Sequence, residues 1–350
     1  MESVVAISKV KKQNFEGVRE AVRNVMTFAH WQEHIKGEKI FLKLNLMSSQ
    51  VVPGQCTSPW FFESVLKEIT ETKPNLEIIC GDADVAGTKQ FDDAVKNWGI
   101  KEVADRYGVS VVNLSKLPAE KMRIGEKLGK LNIPKILMEV DCIVTLPVIK
   151  AHCLTTITGA LKNQWGLLPR FRHRFHPIVN DAIPEINKFF NVTFAVADMT
   201  ISMEGPGPRC GIPKICDLVL ASADRVALDA AAATIMGFNP KQIGHIVNAE
   251  KIGIGTTNFV IVGDYDGKKY NFIFPQAKDH LVYRWRDRIQ RISLLRKIFF
   301  DTPLFDILAL LAVTYNTKIW YMKYGKKYAE NICKNSGYGD EFSKLIGVGK

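Results

Sequence analysis

No two cysteines in this 350-residue chain are spaced C-x-x-C. The seven present, Cys56, Cys80, Cys142, Cys153, Cys210, Cys216 and Cys333, lie scattered, several of them inside apolar runs, as free core cysteines do. An odd, unclustered set indicates a reducing, cytoplasmic setting. It also argues against an iron–sulfur cluster carried by this chain alone. The phosphate-cradling pattern G-x-x-x-x-G-K-[ST] is missing, so Gly205-Pro-Gly-Pro208 reads as a stiff turn. No G-x-G-x-x-G follows a strand, which leaves nicotinamide binding unsupported, and there is no G-x-S-x-G elbow. Low-complexity tracts and internal repeats are also missing. The opening Met1-Glu-Ser-Val-Val-Ala-Ile7 is too short and too early in acid for a signal peptide, and reads as a first strand.

What is there is an ordinary globular composition, long enough for one large or two ordinary domains. The net charge of +11 is uneven. Residues 276–335 hold 12 Lys/Arg against 5 Asp/Glu. Most of the excess therefore belongs to the C-terminal tail, and no nucleic-acid-binding core is expected.

The most informative stretch runs from Val140 to Gly166. An apolar run from Cys142 to Leu146, suited to a strand buried on both faces, gives way to Lys150 and His152. Thr155, Thr156, Thr158, Lys162 and Asn163 follow. Lys150 and His152 are two apart, so in an extended segment they point to one side. The pattern recurs elsewhere. The strand 39–45 ends in Lys43 and Asn45, the strand 76–84 in Asp82 and Asp84, and the strand 192–198 in Asp198, with Glu204 in the loop beyond. Asp and Asn are ordinary turn residues, but lysine has no such role. Buried cations are costly unless something uses them. In open α/β sheets ligands sit outside the carboxyl ends of the strands, so these residues point to one shared site.

The chemistry follows from residue type. Lys43, Lys150 and Lys162 can hold a carboxylate or phosphate, with Asn45 and Asn163 orienting it. Thr158 is placed to cap a helix beginning near Gly159, whose free amides would add an anion site. His152 is the leading acid/base candidate, and a clustered lysine such as Lys150, its pKa lowered, can also serve as a base. His176 lies in the basic-aromatic run 167–176, read as a loop closing over an anion. His173-x-x-His176 is weak as a zinc pair. Asp82, Asp84, Asp198 and Glu204 could bind a divalent cation such as Mg²⁺.

Strand and helix alternate to about residue 278, giving an α/β fold with a largely parallel sheet flanked by helices. A C-terminal helical appendage, 279–350, follows. It comprises a basic amphipathic helix at 280–300, a break at Asp301-Thr-Pro303, and a strongly apolar stretch, Leu304 to Met322. Its uninterrupted apolar part is too short to span a bilayer. Two readings stay open for 279–335: peripheral binding to an anionic membrane surface, and packing or homodimerisation.

The run Lys43-Leu-Asn45, Leu146-Pro-Val-Ile-Lys-Ala-His152, Thr158-Gly-Ala-Leu-Lys-Asn163, Gly166, His176, Glu204-Gly-Pro-Gly-Pro208 and Ala223-Asp-Arg-Val-Ala-Leu-Asp229 resembles the family called domain of unknown function 362, over roughly residues 1–255. The resemblance attaches no secure reaction. Many members of that family carry a ferredoxin-like cluster domain with C-x-x-C motifs, which this chain lacks, so electron transfer is not carried over. The residues favour an enzyme acting on a small anionic substrate by Lys/His acid–base chemistry. The alternative is a non-catalytic metabolite- or cofactor-binding scaffold that docks through its C-terminal helices.

Overall fold

The computed structural model describes residues 2–85, 90–265, 272–275 and 304–346, together with 292, 298 and 302. Its centre is an eight-stranded sheet in the order β12-β1-β11-β10-β7-β2-β3-β4. These are β1 (Ser3–Lys9), β2 (Lys39–Lys43), β3 (Glu77–Asp82), β4 (Ser110–Asn113), β7 (Cys142–Thr145), β10 (Val192–Glu204), β11 (Ile212–Ser222) and β12 (Phe259–Gly263). Two small antiparallel sheets are added: β5 (Ala119–Gly125) with β6 (Gly129–Pro134), and β8 (Lys150–His152) with β9 (Thr156–Thr158). The charged stretch at 115–135 is thus mainly a hairpin.

In the large sheet only β11 runs against its neighbours. The short Gly205–Gly211 turn returns the chain beside β10, and a connection that short joins only antiparallel strands. The strands separate two cores by alternation. Phe41 and Ile143 face a core shared with the helices Val179–Phe189, Arg225–Ile235 and Gly244–Lys251. Ile40, Leu42, Cys142 and Val144 face a core shared with the helices Phe15–Phe28 and Pro59–Thr72. All four residues of β7 are buried, as a strand covered on both faces requires.

Local signals explain the helix limits. Asn14 caps Phe15–Phe28 by accepting from the Gly17 amide at 3.0 Å, and Val18, Ala21, Val22 and Val25 bury one stripe. Pro59 opens its helix at the first position, where its missing N–H costs nothing, but Ser58 before it is not a side-chain cap. Its hydroxyl donates instead to Asp198 Oδ2 at 2.9 Å. Residues 91–106 form two helices, Phe91–Asn97 and Ile100–Arg106, because Gly99 adopts φ 67° between them.

As expected, a C-terminal helical segment follows the sheet. The basic helix at 280–300 lies outside the described residues, Ile292 and Ile298 apart. Leu304–Thr314 is helical, and the coil continues through Tyr315–Gly325 and Lys326–Asn335. The last turns pack against one face of the sheet. Ile332, Tyr338 and Phe342 are buried in the core that holds Trp60 and Trp98. The Tyr338 hydroxyl donates to Asp217 at 2.8 Å, and Phe342 meets Trp60 edge-on at 4.6 Å. Among the described residues no helix is long and apolar enough to cross a membrane.

Candidate functional site

The parallel strands β2, β3 and β7 end at one edge of the sheet, and the segments that leave them line a half-open cavity of about 240 Å³. Its wall brings together Lys43, Asn45, Asp82, Lys150, His152, Thr158, Lys162, Asn163 and His176. Among the described residues, five cationic side chains, Lys43, Lys150, Lys162, Arg172 and Arg209, face it with a single carboxylate, Asp82.

That carboxylate is already used. Lys43 Nζ lies 2.8 Å from Asp82 Oδ1, with both side chains buried. Asp82 also accepts from the Leu46 amide at 2.9 Å and the Ala83 amide at 2.7 Å. Burial lowers the Lys43 pKa and Asp82 opposes the shift. Gly166 makes room for the pair, since a Cβ there would sit 2.3 Å from Asp82 Oδ1 and 2.6 Å from Lys43 Nζ.

Lys150 is fully buried, and its ammonium has three acceptors: Asn45 Oδ1 at 2.6 Å, Met47 Sδ at 3.5 Å and the Gln55 carbonyl. Burial nevertheless pulls its pKa down to about 7. An amide network fixes Asn45. Its Nδ2 donates to Asn163 Oδ1 at 3.2 Å, and Asn163 donates to the Lys43 carbonyl at 3.1 Å and to Thr145 Oγ1 at 2.9 Å. Lys162 differs. Among the described residues its ammonium makes no hydrogen bond or ion pair. Burial lowers its pKa to about 8, with Cys153 opposing and Arg172 and Lys43 adding to the shift.

His152 is held as a neutral imidazole near neutrality. Its Nδ1 accepts from the Leu154 amide at 3.0 Å and the Thr155 amide at 3.4 Å. Burial first, then Lys162, holds its pKa well below the ordinary value. A neutral imidazole that accepts at Nδ1 carries its proton on Nε2, so His152 is a hydrogen-bond donor at neutral pH. His176 stacks on Trp165, ring centroids 5.7 Å apart, and meets His173 edge-on at 4.7 Å. The basic-aromatic run is a short 3₁₀ coil, Arg170–Ile178, that lines the cavity.

The expected anion site at the Gly159 amides is occupied by the chain itself. Asp229, on the helix Arg225–Ile235, accepts from the Ala160 amide at 2.6 Å and the Leu161 amide at 3.0 Å. Burial raises its pKa to about 7 against those two bonds. Thr158 caps nothing. Among the described residues its buried hydroxyl oxygen has no hydrogen-bond partner, and its side chain faces the cavity.

The four carboxylates proposed for a divalent cation do not converge. Asp82 pairs with Lys43. Asp84 accepts from the Phe91 amide at 3.2 Å and from Asn113 at 3.3 Å. Asp198 sits within β10 rather than at a strand end, and binds Ser58, the Thr200 amide at 3.0 Å and the Thr200 hydroxyl at 2.7 Å. Glu204 pairs with Lys214 at 2.6 Å across the hairpin. Each is satisfied by protein donors, and among the described residues no three His, Cys, Asp or Glu side chains group to hold a metal.

Several wall residues carried no strong sequence signal. Arg172 is buried in a run whose basicity was visible, but its inward placement was not. Arg209 donates to the Met47 carbonyl and Gln55 donates to the Arg209 carbonyl at 2.6 Å, so the hairpin turn is tied to the 45–57 loop. Gly207 lies against β8, where a Cβ would approach the Ala151 carbonyl to 2.0 Å. Asn316 reaches the cavity from the C-terminal coil. No periodicity could have placed it there.

A family model described as a domain of unknown function, DUF362, matches residues 40–234. A thylakoid-associated protein of Synechocystis sp. is 24% identical over 238 residues, 63% of this chain and 70% of that protein. Among solved structures, the lactate racemase apoprotein from Thermoanaerobacterium thermosaccharolyticum is 15% identical with a TM-score of 0.42, over 73% of this chain and 58% of that one. A Thermotoga maritima protein is 14% identical with a TM-score of 0.36, over 54% of this chain and 51% of that one. The chain thus spans little more than half the length of either structure.

Proposed function

The chain belongs to the DUF362 family, and since that membership names no reaction, we propose from the site itself that it is an enzyme acting on a small carboxylate or phosphate. The reading rests on one observation: a small cavity whose wall, among the described residues, holds five cationic side chains and one carboxylate, already paired. Anions enter such a site to offset cations that burial has stripped of water.

The groups divide the work. Lys162, mostly protonated at neutral pH and without a partner among the described residues, anchors the anion. Thr158 Oγ1 and the His152 Nε2 proton supply neutral hydrogen bonds. Lys150, with a pKa of about 7, is matched to proton exchange at neutral pH. Giving up its proton sacrifices the weakest of its three contacts, the one to Met47 Sδ.

The three acceptors around Lys150 also favour a second reading, in which that ammonium is structural and the cavity only binds. One experiment separates the two. Native mass spectrometry of the purified chain identifies any retained anion. Titration with inorganic phosphate and a panel of small carboxylates then measures affinity, and NMR in deuterated water follows exchange at the carboxylates' carbon-bound hydrogens. Lys162→Met should weaken binding roughly 10- to 100-fold, the worth of a charge-assisted hydrogen bond. Lys150→Met should bind but lose exchange. Binding without exchange by the unmodified chain selects the non-catalytic reading, and no binding of any anion refutes both.

A further inference from the structure

The coil from Leu304 to Gly325 has two unlike sides. Its inner side is engaged: Phe305 is buried, Trp320 packs with Val52 and Met203, and Asn316 forms part of the cavity wall. Its outer side is bare and apolar. Leu310, Leu311 and Met322 are 65, 60 and 60% exposed, and Ile307, Tyr315 and Ile319 are each more than half exposed. Positions 304, 307, 311 and 315 fall on one helical stripe. Contiguous apolar surface of this kind marks an interaction site.

The charge on this segment says what covers it. Between residues 307 and 329 the sequence holds four lysines, Lys318, Lys323, Lys326 and Lys327, and no acid. All four are exposed. The wider stretch 276–335 holds 12 Lys/Arg against 5 Asp/Glu. A second copy laid against this face would bring like charges together, whereas an anionic leaflet would meet them with opposite charge. The geometry also favours lying on lipid over entering it. The apolar helix Leu304–Thr314 has 11 residues, roughly 16 Å of rise against a hydrocarbon core of about 30 Å.

We propose that the coil Leu304–Gly325 docks on an anionic lipid surface, with its apolar stripe in the interface and its lysines at headgroup level. The helix that docks is also the one that supplies Asn316 to the cavity, so the lipid surface and the site share one element. The proposal is independent of the chemistry assigned to the cavity.

Flotation of the full chain with vesicles rich in phosphatidylglycerol, compared with pure phosphatidylcholine, tests it. The chain should float with the anionic vesicles and less so as sodium chloride rises. The double variant Leu310→Glu/Leu311→Glu should stay unbound while melting like the parent, because both side chains are solvent-exposed. Lys318→Glu/Lys323→Glu should bind about thirtyfold or more weakly, the combined attraction of two surface lysines, and serves as the readout should the first variant fold poorly. A parent chain that does not float with anionic vesicles overturns the proposal. So does equal flotation of the Leu310→Glu/Leu311→Glu chain. A dimer seen by light scattering, dispersed by that variant and without flotation of the parent, would assign the face to a second copy instead.

Discussion

Replacing Lys43 with methionine removes the cation from a pair whose nitrogen and oxygen are 2.8 Å apart and shielded from water. Asp82 then keeps the Leu46 and Ala83 amides and the attraction of Arg172, but a buried negative charge loses its paired cation. Replacing Asp82 with asparagine does the converse and leaves the Lys43 ammonium with the Leu44 carbonyl at 2.6 Å. Removing one partner of a buried pair costs about 3–5 kcal/mol. Independent losses would therefore total about 6–10 kcal/mol, a large part of the roughly 5–15 kcal/mol that holds a domain together. The losses should not be independent. The Lys43→Met/Asp82→Asn chain removes both charges and their desolvation cost together, so it should be no less stable than either single variant. Urea unfolding monitored by tryptophan fluorescence, with the slope checked for constancy, gives all four free energies. Single variants costing less than about 1 kcal/mol, or a double variant as unstable as the sum, would refute the reading of a desolvated pair.

Gly166→Ala should disrupt the same pair by intrusion, because Asp82 cannot retreat without leaving two amides. A loss of about 3 kcal/mol or more by urea unfolding is expected. Lys150 and Lys162 have folded pKa values of about 7 and about 8, below their ordinary 10.5. The unfolded chain therefore holds more protons through that window, and these groups add stability as pH rises from 7 to 10. Melting temperatures of the ligand-free chain should show this rise, and a bound anion, by restoring the lysine pKa values, should flatten it. Truncation after residue 325 should destabilise the sheet domain, because it strips Ile332, Tyr338 and Phe342 from a shared core. A truncated chain that melts like the parent would contradict that packing.

The sheet and the gathering of polar groups at its edge were legible because they repeat. Lys43, Asp82 and Lys150 each close or follow an apolar run, and strand direction then brings them to one edge. What each group does there was not legible. Asp229 lies some seventy positions after the amides it caps, and a local reading of Thr158-Gly-Ala sees only a free helix end. His152 looks poised by its type, but its tautomer is set by the Leu154 amide, which only the folded turn brings to it. Asp198 reads as a strand end because Asp often ends strands, yet β10 continues to Glu204. The tail's apolar run announced burial or lipid, but neither Tyr338 against Asp217 nor Asn316 in the wall could be read from spacing.

The place of β1 bears on how the chain comes to be assembled. The first strand lies between β11 and β12, with Ala6 opposite Ala221 and Val5 opposite Ile261. Both neighbours are synthesised more than two hundred residues later. At ribosomal speeds of about 5–20 residues per second, β1 waits roughly 10–40 seconds for its first partner. Val5, Ala6 and Ile7, fully buried in the finished protein, spend that interval without a sheet to join. Closing so long a loop also slows the search for the native pairing. β1 can therefore take its place in the sheet only after β11 emerges.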